Sequence, residues 1–168
     1  IQKPELEQIL SGIDGYITIA NLNAPAQFTL SGETSAIDQA EQKLIPLKPQ
    51  RLLRVPVAGS WHCALVSEAT APFRAYMESI ILTPPRIPVI SNVTAAPLVS
   101  ERDALLDELA AHLVSPVRWE ETMRYLMAQG VQQFIEVGHE TTLSKFGFFI
   151  DRSYQHLPWQ QALAAKRV

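Results

Sequence analysis

The 168-residue chain has one cysteine, Cys63, so no internal disulfide can form. That fits a reducing, cytoplasmic setting. Charge is sparse and almost balanced. The 14 basic and 17 acidic side chains leave a net charge of −3, and no global field draws the chain toward nucleic acid. No apolar run approaches the roughly 20 residues of a membrane span. The opening IQKPELEQIL has no signal-peptide character. It also lacks an initiator methionine and begins almost inside a helical pattern, so a truncated start is the expectation. His112, His139 and His156 show no H-x-x-x-H or Cys/His spacing, which excludes the usual zinc sets. There is no G-x-G-x-x-G, no phosphate loop and no G-x-S-x-G nucleophile elbow. Internal repeats and low-complexity segments are absent too.

What is present is a folding sequence. Hydrophobic residues make up 47% and charged residues 18%, enough for a buried core in one domain or two small ones. PELEQIL reads as a helix stopped by Gly12, with Pro4 in its first turn. YITIANL and QFTLSG read as strands joined by the turn NAPA, a hairpin. SAIDQAEQKLI places Ile37, Ala40 and Leu44 at helical spacing, and RLLRVPVAG reads as a third strand. Helix, strand, strand, helix, strand is the ferredoxin-like order with its first strand missing. After Gly59 the texture alternates helix and strand, as in an α/β layer with a parallel sheet. FRAYMESIIL is helical and IPVIS is a short buried strand between prolines. SERDALLDELAAHLV is a helix with Ser100 as its cap and Asp103 in the reciprocal position. WEETMRYLMAQG closes at Gly130, and QQFIEVG is a strand. Two clear strands make an incomplete sheet, so an apolar face awaits a missing segment.

VAGSWHCALV holds the candidate chemistry. His62 lies where a strand ends and a helix is about to start, a place where functional groups gather in open α/β sheets. A histidine there can serve as general base near neutral pH. On pattern alone, a turn histidine bonded to its own loop is the commoner role. Cys63 invites a thiol nucleophile with His112 or His139 as base. Adjacent residues of an extended chain point to opposite sides, however, so His62 does not naturally activate it. A small buried core cysteine is the commoner role. NLNAPAQ sets Asn21, Asn23 and Gln27 around a turn, the ordinary use of asparagine. KLIPLKPQRLLR carries Lys43, Lys48, Arg51 and Arg54 without an acidic residue. It can meet an acidic partner, although such runs are more often solvated faces.

As a set, several stretches resemble malonyl-CoA:acyl carrier protein transacylase and the acyltransferase domains of fatty acid and polyketide synthases. ANLNAPAQFTLSGE is similar to that family's Asn-x-Asn-x-Pro-x-Gln hairpin. RLLRVPVAGSWHCALV is similar to its strand leading into the catalytic histidine. PVISNVTA matches the Asn-Val strand end, and HLVSPVRWEETMRYLMAQGVQQFIEVG matches the Pro-Val-x-Trp helix and Glu-Val-Gly strand. Order and spacing agree from about Glu5 to Gly138.

The resemblance implies an α/β fold with two parts. Residues 1–57 would be most of a ferredoxin-like small subdomain, and residues 58–168 the C-terminal portion of an α/β-hydrolase-like large subdomain. It implies transfer of a malonyl group from coenzyme A to a serine, then to the phosphopantetheine thiol of acyl carrier protein. No cofactor is implied beyond the thioester substrate. By the resemblance His62 is the general base, and the backbone carbonyl of His112 orients it. Asn21, Asn23 and Asn92 line the cleft. Trp61 stands where bulk favours malonyl over branched acyl groups. The serine in its elbow, the arginine that meets the malonyl carboxylate and the glutamine of the oxyanion hole find no counterpart here. GHETTLSKF replaces the usual Gly-Pro-Gly run. The expectation is a chain that carries the base without the nucleophile, inactive alone and needing the missing N-terminal half. The alternatives are a non-catalytic module that docks acyl carrier protein through Lys43 to Arg54, and a cysteine hydrolase built on Cys63.

Overall fold

The computed structural model describes residues 1–165. The first elements are helix α1 (Lys3–Ser11), strands β1 (Ile17–Ala24) and β2 (Gln27–Gly32), and helix α2 (Thr34–Leu44). β1 and β2 form the expected antiparallel hairpin, from Ile17 opposite Gly32 to Ala24 opposite Gln27. Both helices share one core with it. Leu6 and Leu10 of α1, Ile13, Ile19 of β1, and Ala36, Ala40 and Leu44 of α2 are buried together. The small side chains of α2 let it lie close to the hairpin, and burial of the leucines contributes about 1.5–3 kcal/mol each.

The expected third strand is not formed. Residues 51–57 run as irregular chain, with Leu53, Val55 and Val57 all more than half exposed. Their β-forming composition finds no partner strand among the described residues, and Pro56 removes a donor. His62 therefore follows a loop, not a strand end.

The second part contains α3 (Thr70–Glu78), α4 (Arg102–Ala111), α5 (Trp119–Ala128), β3 (Gln133–Glu136), α6 (Thr142–Ile150), β4 (Gln155–Pro158) and α7 (Trp159–Ala165). The expected strand at IPVIS reduces to one bridge, Ile90 with Pro97. Prolines at 84, 85, 88 and 97 take donors out of any longer ladder. The parallel pair is instead β3 with β4, from Gln133 beside Gln155 to Glu136 beside Pro158. The cap of α4 also differs from expectation. Glu101, not Ser100, accepts from the amides of Asp103 and Ala104 at 3.1 and 2.8 Å, because the helix starts one residue later at Arg102.

α6 had no counterpart in the sequence reading. Glu136 at the end of β3 caps it from a distance, its two oxygens taking the amides of Leu143 and Ser144 at 3.0 and 2.8 Å. A second core joins Ala24 of β1 to Met123 and Met127 of α5 and Ile150 of α6. β1 thus touches both cores. No helix among the described residues is long and apolar enough to cross a membrane.

Candidate active site

His62 sits in a loop, 59–64, that the open end of the hairpin holds at several points. Ser60 Oγ donates to the Gly32 carbonyl at 2.9 Å, and the Ala64 amide donates to the Tyr16 hydroxyl at 3.0 Å. Ser31 Oγ lies 3.5 Å from Cys63 Sγ, which in turn lies 3.4 Å from the Ser60 carbonyl. Cys63 is 1% exposed and packs as an anchor of this loop. No hydrogen bond joins it to a histidine among the described residues, and His139 is exposed. The backbone of His62 is left-handed, with φ of 58°. A residue with a Cβ adopts that region at a cost of about 1–2 kcal/mol, so the loop contacts must hold it there.

The ring of His62 meets the end of α4. Its Nδ1 lies 2.8 Å from the carbonyl oxygen of His112. A carbonyl only accepts, so Nδ1 carries the proton and Nε2 keeps the lone pair. Nε2 has no hydrogen-bond partner among the described residues. The carbonyl is free for this contact because of the local sequence. In a helix, the oxygen of His112 would accept from the residue four positions on. That residue is Pro116, which has no N–H.

The ring of His112 turns the other way, with Nε2 3.3 Å from Ser91 Oγ. Burial holds its pKa below the usual histidine value of 6.5. The Glu108 carboxylate opposes that shift, and His62 adds to it. Ser91 is fully buried in a turn whose carbonyl accepts from Ala95.

Two of the three asparagines, Asn21 and Asn92, are tied to this centre through backbone. The Leu22 amide donates to the Val117 carbonyl at 2.9 Å, and the Val117 amide returns a bond to Ala20 at 2.8 Å. Asn21 is thereby set beside Val117. The next amide, of Arg118, donates to the Asn92 carbonyl at 3.0 Å. Asn92 adjoins Ser91, and Ser91 touches His112. Asn23 is 9% exposed and spends its side-chain amide on Thr29 Oγ1 at 3.2 Å, within the hairpin. Trp61 is 50% exposed and its indole lies over Gly59, where a Cβ would come 3.2 Å from the ring.

Two of the four basic residues, Lys43 and Arg54, are engaged within the chain. Arg54 reaches Asp38 at 2.5 Å and Glu41 at 2.6 Å, and hydrogen bonds to those carboxylates raise its pKa further. Lys43 Nζ donates to the Gly12 carbonyl. Lys48 closes a 3-10 turn with a left-handed backbone, and Arg51 is exposed. Sequence reasoning missed Ser91, Tyr16, Ser31 and Pro116. Of these, Pro116 was readable, because a proline four residues after His112 leaves its carbonyl unpaired.

No protein-family model matches the chain. It is 37% identical over 135 residues to the polyketide biosynthesis protein ThaF of Burkholderia thailandensis, covering 80% of this chain and 11% of that protein. It is 30% identical over 157 residues to the polyketide biosynthesis malonyl CoA-acyl carrier protein transacylase PksC of Bacillus subtilis, covering 90% and 54%. The solved malonyl CoA-acyl carrier protein transacylase of Coxiella burnetii superposes with a TM-score of 0.91 at 30% identity, over 99% of this chain and 54% of that one. The chain spans about half the length, or less, of these relatives. Across the residues matched, in sequence and in mixed α/β fold, the homologues and structural neighbours of the chain are malonyl-CoA:acyl carrier protein transacylases and polyketide biosynthesis proteins.

Proposed function

We propose that the chain is the part of a malonyl-CoA:acyl carrier protein transacylase that carries the general base, His62, while the nucleophilic serine comes from outside these residues. One observation carries the reading. The 2.8 Å contact of Nδ1 with the His112 carbonyl sets the tautomer that leaves a basic Nε2. The 168 residues contain no G-x-S-x-G elbow to supply the nucleophile.

In the acylation step the serine oxygen attacks the thioester carbon of malonyl-CoA. Nε2 of His62 takes the serine proton and then gives it to the departing coenzyme A thiolate. In the transfer step the carrier-protein thiol attacks the acyl-serine, Nε2 takes the thiol proton, and the serine oxygen receives it back. Between proton transfers His62 is an imidazolium. The His112 carbonyl accepts from it, and the negative end of α4 faces it, an interaction of about 0.3–1 kcal/mol, up to about 2 when partly buried. A helix end thus fills the place a carboxylate takes in other nucleophile–histidine sites.

Residues 1–57 serve in this reading as most of a ferredoxin-like small subdomain, and residues 58–168 as a portion of an α/β-hydrolase-like large one. The shared core of α1, the hairpin and α2 supports the first assignment. Asn21, Asn92 and Trp61 face the acyl group, and acyl carrier protein is the macromolecular partner. A cytoplasmic setting suits the unpaired Cys63.

The test is intact-mass measurement of the chain after incubation with malonyl-CoA. An unchanged mass is expected, with transfer to carrier protein only when a serine-bearing remainder is supplied. A stable acyl adduct on the chain itself would overturn the assignment.

A further inference from the structure

Ser91 has an unusual set of neighbours for a fully buried serine. Its Oγ accepts from the amides of Val93 at 3.1 Å and Thr94 at 3.4 Å. A hydroxyl has two lone pairs and one proton. Both lone pairs are taken, so the proton is what remains for the third neighbour, Nε2 of His112, at 3.3 Å. The direction of that bond fixes the His112 ring. Nε2 accepts, Nδ1 carries the proton, and the ring is neutral.

We propose that Ser91 is a positioning residue of the acyl-transfer site. Its hydroxyl holds the His112 ring uncharged and keeps the adjoining carbonyl aimed at Nδ1 of His62. This deepens the reading of His62 as base and rests on it. A second positive charge on His112 would lie beside the imidazolium that His62 becomes, and would oppose its formation. The other charged groups around the ring do not replace Ser91. Glu108, one turn earlier on α4, accepts from Thr94 Oγ1 at 3.2 Å. Arg118 donates to the carbonyls of Val93 and Thr94 and is paired with Glu121. These contacts brace the turn that presents Ser91, leaving the hydroxyl as the group that addresses the ring.

Nitrogen-detected imidazole NMR of the 168-residue chain tests the link without any turnover. In the parent chain, Nε2 of His112 should show the resonance of an unprotonated nitrogen, and Nδ1–H of His62 a slowly exchanging proton. Ser91→Ala should shift the first, speed exchange of the second, and raise the titration midpoint of His112, since a donor to the neutral form is gone. His112→Ala should also lose the protected His62 proton, whereas His112→Gln, which still offers Ser91 an acceptor, should keep it. These two variants serve if Ser91→Ala does not fold. A protonated Nε2 on His112 in the parent chain overturns the proposal, as does an unchanged His62 proton in both alanine variants. In a complete transacylase carrying these residues, Ser91→Ala should lower kcat about fivefold, the worth of one hydrogen bond, with KM for malonyl-CoA unchanged. Undiminished transfer in His62→Ala would instead defeat the base assignment, a result the resonances of His112 do not depend on.

Discussion

Substitution of His62 by alanine and by glycine separates the chemistry of the ring from the strain of its backbone. Both variants remove the ring, so both lose the proton acceptor. In a complete transacylase carrying these residues, transfer of radiolabelled malonyl to carrier protein should fall by about 10²–10⁴-fold in each. Stability should not fall equally. Either change forfeits the Nδ1 contact with His112, about 1 kcal/mol. The alanine variant keeps a Cβ at φ of 58°, a cost of about 1–2 kcal/mol. Glycine relieves that cost and gives back about 0.5–1 kcal/mol through the greater freedom of its unfolded chain. The difference leaves His62→Gly more stable than His62→Ala by about 0.5–1 kcal/mol, or a few tenths molar in the urea midpoint. At an ordinary backbone position the order is reversed, so the sign alone is diagnostic. An alanine variant more stable than the glycine variant would refute the strained loop, and undiminished transfer in both would refute the role of the ring.

Gly147→Ala should destabilise the chain. A Cβ there would overlap Nδ1 of His156 and lie 2.7 Å from its Cγ, on a ring stacked on Phe134 and tied to the Asp151 carbonyl. Overpacking of about 1–3 kcal/mol outweighs the roughly 1 kcal/mol gained in helix propensity, so a higher urea midpoint would contradict the contact. Glu136→Ala should cost about 1 kcal/mol in thermal unfolding and speed amide exchange at Leu143 and Ser144, and unchanged protection there would show that the carboxylate is not the cap. The native-state pKa of His112 lies below the unfolded value of 6.5. The unfolded chain therefore binds the extra proton first, and this residue's contribution is fully present above about pH 6.5 and is lost as pH falls toward the native pKa. His112→Gln should flatten that part of the stability profile measured by urea titration against pH, and an unaltered slope would refute the assignment.

The legible parts of this fold are those whose signals are local. PELEQIL between Pro4 and Gly12, the alternation of YITIANL, the Asn-Ala-Pro-Ala turn and the spacing in SAIDQAEQKLI give α1, the hairpin and α2 to within about two residues. Gly130, at φ of 88°, ends α5 as its position demands. What failed was non-local. RLLRVPVAG has the composition of a strand, but a strand exists only beside another, and composition says nothing about neighbours. TLSKFGFFI is apolar almost all round, with a glycine in its middle, and lacks a local cap. Its cap is Glu136, on a strand, six residues before the helix begins. Likewise Ser91 reads as one more turn serine until the chain folds His112 over it, 21 positions away. The pairing of His62 with the His112 carbonyl, 50 positions apart, rested on resemblance to a family, not on any pattern in the residues.

A general base needs its ring held at one nitrogen, and a carboxylate does this at the expense of burying a charge. The present arrangement needs no buried anion. α4 runs into the loop at Leu113, and Pro116 withholds the amide that would otherwise take the His112 oxygen. Pro116 also precedes Val117, whose amide and carbonyl bind the edge of β1 at Ala20 and Leu22. One short stretch, Ser115 to Arg118, therefore does two things at once. It frees the carbonyl that orients His62, and it fastens the strand bearing Asn21 to the turn bearing Asn92. The hairpin in turn clamps the His62 loop from its far end through Tyr16, Ser31 and Gly32. The ring is thus fixed from both sides by the same element, β1 with its partner β2. The position of the hairpin relative to α4 therefore sets the geometry of the contact between Nδ1 of His62 and the His112 carbonyl.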